Sequence, residues 1–428
     1  MKKIITILAS AFIVLNATAQ TIKPCGSHEY LQHLDIQQPG FYAQVKKLGE
    51  LSAKKLRGPI VYVPVVVHIV YKNSTENLSD NYVTSQIEML NRCYGRRNAD
   101  TVSLRSEFFP IVGPAKIQFY VKEIKRVSTT KTSFVFEFNQ FTGDNMADDV
   151  KHTSAGGSDA VTPQSVLNIW VCDIGLPAGQ GELLGYAYPP PGLPNWWAGS
   201  SYKSVDIDGV VIDYLAFGGT PQKPIGFTSG LQGKTAVHEV GHYLGLRHIW
   251  GDDDGACNGQ AGFEDDGVAD TPECGDASNF NCNKNTNSCI TSNDFKDMVE
   301  NYMDYSSEAC ENSFTKGQVT LMENVLYTIR TGIHAPTGID DENIDQLLAI
   351  YPNPTRDLIH VSFPNTDTKQ LNIVITDILG KKMYSNSLGA IPFVEEVISV
   401  SSWNQGVYLL TISDETSVLH RTKFQIIK

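Results

Sequence analysis

The apolar positions divide the chain into segments of different period. IVYVPVVVHIVY (60–71) is a nearly unbroken run rich in Val and Ile, which predicts a strong strand. VTSQIEMLNRCYG (83–95) places Ile87, Leu90 and Tyr94 at helical spacing. KIQFYVKEI (116–124) alternates as a strand does, and SVLNIWVCDI (165–174), LLGYAYPP (183–190) and DGVVIDYLAF (208–217) continue the series. From Gly251 to Asn301 aliphatic residues thin out and Asp, Asn, Gly and Cys take over, so this stretch is expected to be loop. The last ninety residues form short alternating segments: IYPNPTRDLIHVSF (350–363), LNIVITDILGKKMYS (371–385), EEVISVSSW (395–403), GVYLLTIS (406–413) and TKFQIIK (422–428). Their regular turns predict a small β-sandwich, joined through HAPTGIDDEN (334–343).

At 428 residues the chain is too long for one typical domain. Lys2 and Lys3, the apolar run Ile4 to Leu15 and the small-x-small pattern Ala17-Thr18-Ala19 predict a secretory signal over 1–19. The run is too short to span a membrane, and no later stretch is long enough. Residues 20–57 stand apart as an expected propeptide, ending in Lys54, Lys55 and Arg57, where proteolysis is expected. A net charge of −13 excludes nucleic acid as the main partner. Export changes the reading of the eight cysteines. Five fall between 257 and 310, and in an oxidising compartment such a cluster predicts disulfides. Five is odd, so one is left free or pairs elsewhere.

HEVGHYLGLRH (238–248) carries the chemistry. His238 and His242, four apart on a helix, present both imidazoles on one face to one ion. Glu239, offset by about 100°, reaches a water on the metal without being a ligand. Gly245 ends the helix in a left-handed turn, which lets His248 return as a third ligand. Three histidines leave the fourth position of a tetrahedral zinc open for water, as in a catalytic site. Glu239 then serves as general base and acid in peptide hydrolysis.

HExxHxxGxxH matches the metzincin consensus. NYMDYS (301–306) resembles the Met-turn of that clan, with Met303 beneath the metal. Together with Trp250-Gly251-Asp252, DDGVADTP (265–272) and FTKGQ (314–318), it resembles the pappalysin or cytophagalysin family over residues 60–332. The resemblance implies an α+β fold: a twisted mixed sheet plus an active-site helix over 58–335. It implies one catalytic Zn2+ on His238, His242 and His248, and Tyr305 as the residue that stabilises the reaction intermediate. Asp266, Val268 through its carbonyl, Asp270 and Thr271 become candidates for one or two structural Ca2+ ions, whose hard-oxygen chemistry suits this loop. The implied disulfides are Cys257–Cys289 and Cys282–Cys310; Cys274 departs from the pattern. Glu308 implies a preference for Arg or Lys after the scissile bond. LLGYAYPP is the candidate edge strand for an extended peptide.

Cys25, in PCG, is the expected latency residue, its thiolate displacing the catalytic water. YPNP (351–354), DILGKK (377–382), GVYLLTI (406–412) and the basic end Lys423 to Lys428 resemble a type IX secretion sorting domain, assigned to 341–428. The expectation is a secreted zinc endopeptidase, made as a zymogen and exported through the periplasm and outer membrane to the cell surface or medium. Protein or peptide substrates and the type IX machinery are its partners. The alternative from another class is a secreted binding protein or adhesin on the same fold; within enzymes, it is a narrow processing peptidase or toxin.

Overall fold

The computed structural model describes residues 22–37, 39–53, 60–139, 144–177, 182–190, 205–219, 231–251, 257, 266–289, 295–333, 349–351, 353–364, 370–389, 393–414 and 416–428. The signal at 1–19, the basic run Lys54 to Arg57 and the linker 334–343 lie outside them.

The N-terminal segment supplies a short strand β1 (Ile22–Lys23), helix α1 (Ser27–Gln37), helix α2 (Phe41–Lys47) and a 3-10 turn at Leu48–Ala53. Next come β2 (Val61–Tyr71), α3 (Asp80–Tyr94), β3 (Ile117–Ser128), β4 (Phe134–Val135), β5 (Leu167–Cys172), β6 (Ile174–Gly175), β7 (Glu182–Leu183), β8 (Gly185–Ala187) and β9 (Val210–Asp213). Two helices follow, α4 (Lys234–Tyr243) and α5 (Lys316–Thr328).

The main sheet has the order β3-β2-β5-β9-β8, parallel except for β8, which runs antiparallel along the edge. A parallel sheet must be covered on both faces, and β2 explains how this one is. Its odd positions Val61, Val63, Val65, Val67 and Ile69 meet α3 and α4 through Ile87, Leu90, Val237 and Val240. On the other side Val70, with Trp170 and Cys172 of β5, meets Tyr30, Leu31, Leu34 and Phe41 of the N-terminal segment. That segment therefore completes one wall of the core. A second small sheet, β1-β7-β6-β4, ties β1 to the same region.

Among the described residues, Gly251 to Asn301 carries no helix and only the terminal bridge at Asn301, as expected of a loop. It is fastened by the two implied disulfides, Cys257–Cys289 and Cys282–Cys310. Cys274 is the free member of the cluster, buried with its thiol 3.1 Å from the Asp276 carbonyl.

The C-terminal unit is a sandwich of antiparallel strands: β10 (Ala349–Tyr351), β11 (Leu358–Pro364), β12 (Leu371–Asp377), β13 (Lys382–Leu388), β14 (Phe393–Ser399), β15 (Gly406–Ser413) and β16 (Val418–Ile426). Its sheets are β10-β11-β14 and β13-β12-β15-β16. Strict alternation builds it: in β15, Tyr408, Leu410 and Ile412 are buried while Val407 and Leu409 face out.

Candidate active site

Helix α4 carries His238 and His242 one turn apart. It stops at Leu244, and Gly245 takes φ +96°, with Leu246 N donating back to Gly241 O at 3.0 Å. This left-handed turn, costly for other residues, brings His248 under the helix. The three Nε2 atoms form a near-equilateral triangle: 3.0 Å between His238 and His242, and 3.1 Å from each to His248. A tetrahedral zinc about 2.0–2.1 Å from each nitrogen holds them about 3.3 Å apart, close to this spacing.

The protonation pattern makes the case stronger. His238 Nδ1 lies 2.7 Å from Tyr302 O, and His242 Nδ1 lies 2.9 Å from Leu246 O. A carbonyl only accepts, so each Nδ1 carries the proton and each Nε2 turns a lone pair inward. Lone pairs facing one another repel; a cation between them removes the repulsion. His248 is fully buried and stacks on Trp250 at 4.4 Å. Burial, then His238, holds its pKa well below the usual imidazole value, which keeps it a neutral donor.

A fourth donor completes the cluster. Cys25 Sγ and the three ring nitrogens all lie within 4.8 Å of one another, the one such group among the described residues. Burial, then the Glu239 carboxylate, pushes the Cys25 thiol well above its usual range; a bound metal ion reverses this by favouring thiolate. Glu239 is fully buried, and burial lifts its carboxyl to about 8, against the pull of Cys25 and Ser27. Ser27 was not singled out from the sequence. Its hydroxyl lies 3.1 Å from Glu239 Oε2 and 2.9 Å from Ala187 N. No sequence pattern joins positions 27 and 239.

The N-terminal segment lies along the edge of the sheet. Leu184 N donates to Lys23 O (3.0 Å) and Gly26 N to Gly185 O (2.9 Å). LLGYAYPP thus holds the edge strand, and an extended stretch of this chain is laid on it.

Met303 is buried beneath α4. A Cβ on Gly241 would come within 2.5 Å of its sulfur, so this helix position must stay bare. Asn301 Oδ1 accepts from Met303 N (2.9 Å) and its amide donates to Gln318 (3.0 Å), a residue of the capping box at the start of α5. Tyr305 stands beside His248, rings 4.7 Å apart, and its hydroxyl donates to Cys25 O at 3.2 Å.

Glu308 sits at the start of α4. Its carboxylate accepts from Thr235 N at 2.6 Å, Thr235 Oγ1 at 2.8 Å and Gln232 N. It lines a small pocket with Pro24, Leu184, His238, Tyr305 and Glu311. Burial, then Glu308, pushes the Glu311 carboxyl well up. The calcium candidates share one turn: Asp266 Oδ1 accepts from Val268 N (2.9 Å), and Thr271 N donates to Val268 O (3.0 Å). Both oxygens of Asp270 accept from Gly317 N at the start of α5, so that carboxylate already has a partner.

The chain is similar to known proteins. Residues 225–327 match the peptidase family described as pregnancy-associated plasma protein-A, and residues 349–428 match the secretion system C-terminal sorting domain. A promirolysin variant from Tannerella forsythia is 34% identical with a TM-score of 0.59, covering 72% of this chain and 96% of its own. Mature mirolysin from the same organism, in complex with a cleaved peptide, is 36% identical with a TM-score of 0.54, covering 65% and 96%. An extracellular metalloprotease of Arthroderma otae is 28% identical over 291 residues, 67% of this chain and 84% of that protein.

Proposed function

The chain belongs to the pappalysin family of metalloproteases and is a secreted metalloendopeptidase with a type IX sorting tail; from that premise we propose that it is a zinc enzyme made as a zymogen. The observation that carries the reading is the inward-facing Nε2 triangle of His238, His242 and His248 with Glu239 beside it. These three residues would hold the ion. When bound, zinc supplies a Lewis acid that acidifies water and polarises a peptide carbonyl. Glu239 takes the proton of the attacking water and hands it to the leaving amine; its raised pKa suits a group that must both accept and release. Tyr305 donates its hydroxyl to the oxygen on which charge develops, with the same O–H that in this state donates to Cys25 O.

Latency is supported by Cys25 lying among the three histidines and by Ser27 at the general base. It is also supported by the likeness to a pro-form, whose match exceeds that of mature mirolysin by about the length of the N-terminal segment. Residues 20–57 then form the propeptide, released near Lys54 to Arg57 after removal of residues 1–19. The preference for Arg or Lys after the scissile bond rests on Glu308 and Glu311 lining the pocket beside His238, where Pro24 now sits. For Asp266, Val268, Asp270 and Thr271 we propose structural calcium, supported by the oxygens gathered in one turn, where Asp266, Val268 and Thr271 are buried.

Intact mass over time, on the full chain with zinc and calcium, tests the reading. The wild type should shorten near Lys54 to Arg57, and Glu239→Ala should stay whole, with hydrolysis reduced about 10²–10⁴-fold. Equal shortening of both would remove Glu239 from the reaction.

A further inference from the structure

Beyond the histidine cluster, the N-terminal segment fills a second feature of the enzyme surface. After Cys25 and Ser27 the chain turns into α1, whose first turn places Tyr30 in an aromatic trough. Tyr188 forms one wall, its ring 4.2 Å from that of Tyr30. Phe138 stacks from the other side at 6.1 Å, and Phe136 packs edge-on against Phe138 at 5.4 Å and beside Tyr186 at 5.2 Å. The floor is polar and already satisfied. Asp148 accepts from Tyr186 (3.1 Å) and Tyr188, and pairs with the buried Lys151 at 2.8 Å. Tyr30 itself is 1% exposed.

We propose that this trough, once the N-terminal segment has left, is a substrate subsite for an aromatic side chain upstream of the scissile bond. The inference rests on the reading above, that residues 20–57 are released. Three observations carry it. The trough continues the edge strand: Gly185 O accepts from Gly26 N, Ala187 N donates to the Ser27 hydroxyl, and Tyr188, the next residue, packs on the ring of Tyr30. It lies at the opposite end of that strand from the Glu308 pocket, which borders Leu184, so it faces the residues before the bond. Its walls are rings that release of Tyr30, Leu31 and Leu34 would bare, and a large apolar patch beside an active site is normally covered by a ligand. Two extended residues and one helical turn separate Cys25 from Tyr30, roughly 11 Å. An extended substrate covers that span in about three residues.

The test uses the full chain after it has activated itself. Two peptides share Arg after the scissile bond and differ in Tyr or Ala at the third and fourth residues before it. The Tyr peptide should show a kcat/KM about tenfold higher. In Phe138→Ala, or in Phe138→Leu if that variant fails to fold, the ratio should fall toward one. Equal rates on the two peptides in the wild type, or an undiminished ratio in the variant, would overturn the inference. A third peptide with Leu for Arg scores the basic preference separately, and its failure leaves the Tyr-to-Ala ratio readable. Mass of the active species separates the remaining case: an active enzyme that still holds residues 22–53 overturns the zymogen reading and the subsite with it.

Discussion

The peptidase unit and the C-terminal sandwich solve the problem of burial in opposite ways. In the sandwich the described buried residues are nearly all apolar, with Thr355, His360 and His420 the exceptions. The peptidase unit buries His68, Lys234, His238, Glu239, His242, His248, Glu308 and Glu311, and Arg330 against Asp208. Each needs a designated partner, since an unpaired buried polar group costs about 1–3 kcal/mol. The sandwich only has to be stable and recognisable. The peptidase unit keeps polar and charged groups in its interior, each held by named partners such as Asp208 for Arg330 and Ser158 and Asn168 for His68.

Substitutions should separate the two regimes. Leu410→Ala empties the sandwich core and should cost about 2–5 kcal/mol in the denaturant transition of that unit, with peptide hydrolysis per folded molecule unchanged. Lost hydrolysis would mean that the two units are not energetically separate.

The second largest effect belongs to the peptidase unit and is pH-dependent. His68 lies between Ser158 Oγ (2.8 Å) and Asn168 Oδ1 (2.9 Å), and burial lowers its pKa to about 4. The unfolded chain takes up this proton near pH 6.5 and the folded chain only near 4. Stability from this group is therefore fully present above pH 6.5 and is lost as pH falls to 4, by up to about 3 kcal/mol. Asp304, raised to about 6 chiefly by burial, acts oppositely, losing stability as pH rises from about 4 to 6. The difference between wild type and His68→Gln isolates the histidine: the variant should lack the acid loss. An identical slope would remove His68 as its source.

Smaller changes sharpen the contrast. If the proposed latency holds, Cys25→Ala should shorten the lifetime of the intact chain about tenfold, roughly 1.4 kcal/mol, read by mass over time; an unchanged lifetime would remove Cys25 from it. Thr315→Ala removes the cap of α5 and should lower stability by about 1 kcal/mol, seen as a drop of a few degrees in the peptidase transition. A larger loss of activity than of stability would show that the Asn301–Gln318 link sets the height of Met303.

Legibility in the sequence follows the same divide. The sandwich strands were readable because burial there repeats every second residue, and β2 because burial on both faces leaves a nearly unbroken run of Val and Ile. The histidines, Glu239 and Gly245 were readable because one helix and one turn fix their geometry locally. Helix α5 was not: its start, Thr315-Lys-Gly-Gln318, looked like a motif fragment, and only the reciprocal bonds of the capping box mark it as a helix start. The two helices of the N-terminal segment escaped too, since the surface that Tyr30 and Leu34 need comes from β5 and β8, far along the chain. Glu308 was singled out as an acid near the site, and it shares a small pocket with His238. That its oxygens also hold the first turn of α4 depends on contacts across 73 residues, which composition and spacing do not encode.

One consequence concerns how mutations would be read. The rings of His238 and His242 are steered by the main-chain carbonyls of Tyr302 and Leu246. Every amino acid carries that atom, so no codon change at 302 or 246 deletes it. A scan by alanine would score the histidines and leave the hydrogen bonds that aim two of them unscored. The aim of the two rings is thus written in the path of the backbone, and substitutions at 302 or 246 act on it through packing, since both side chains are buried in the core.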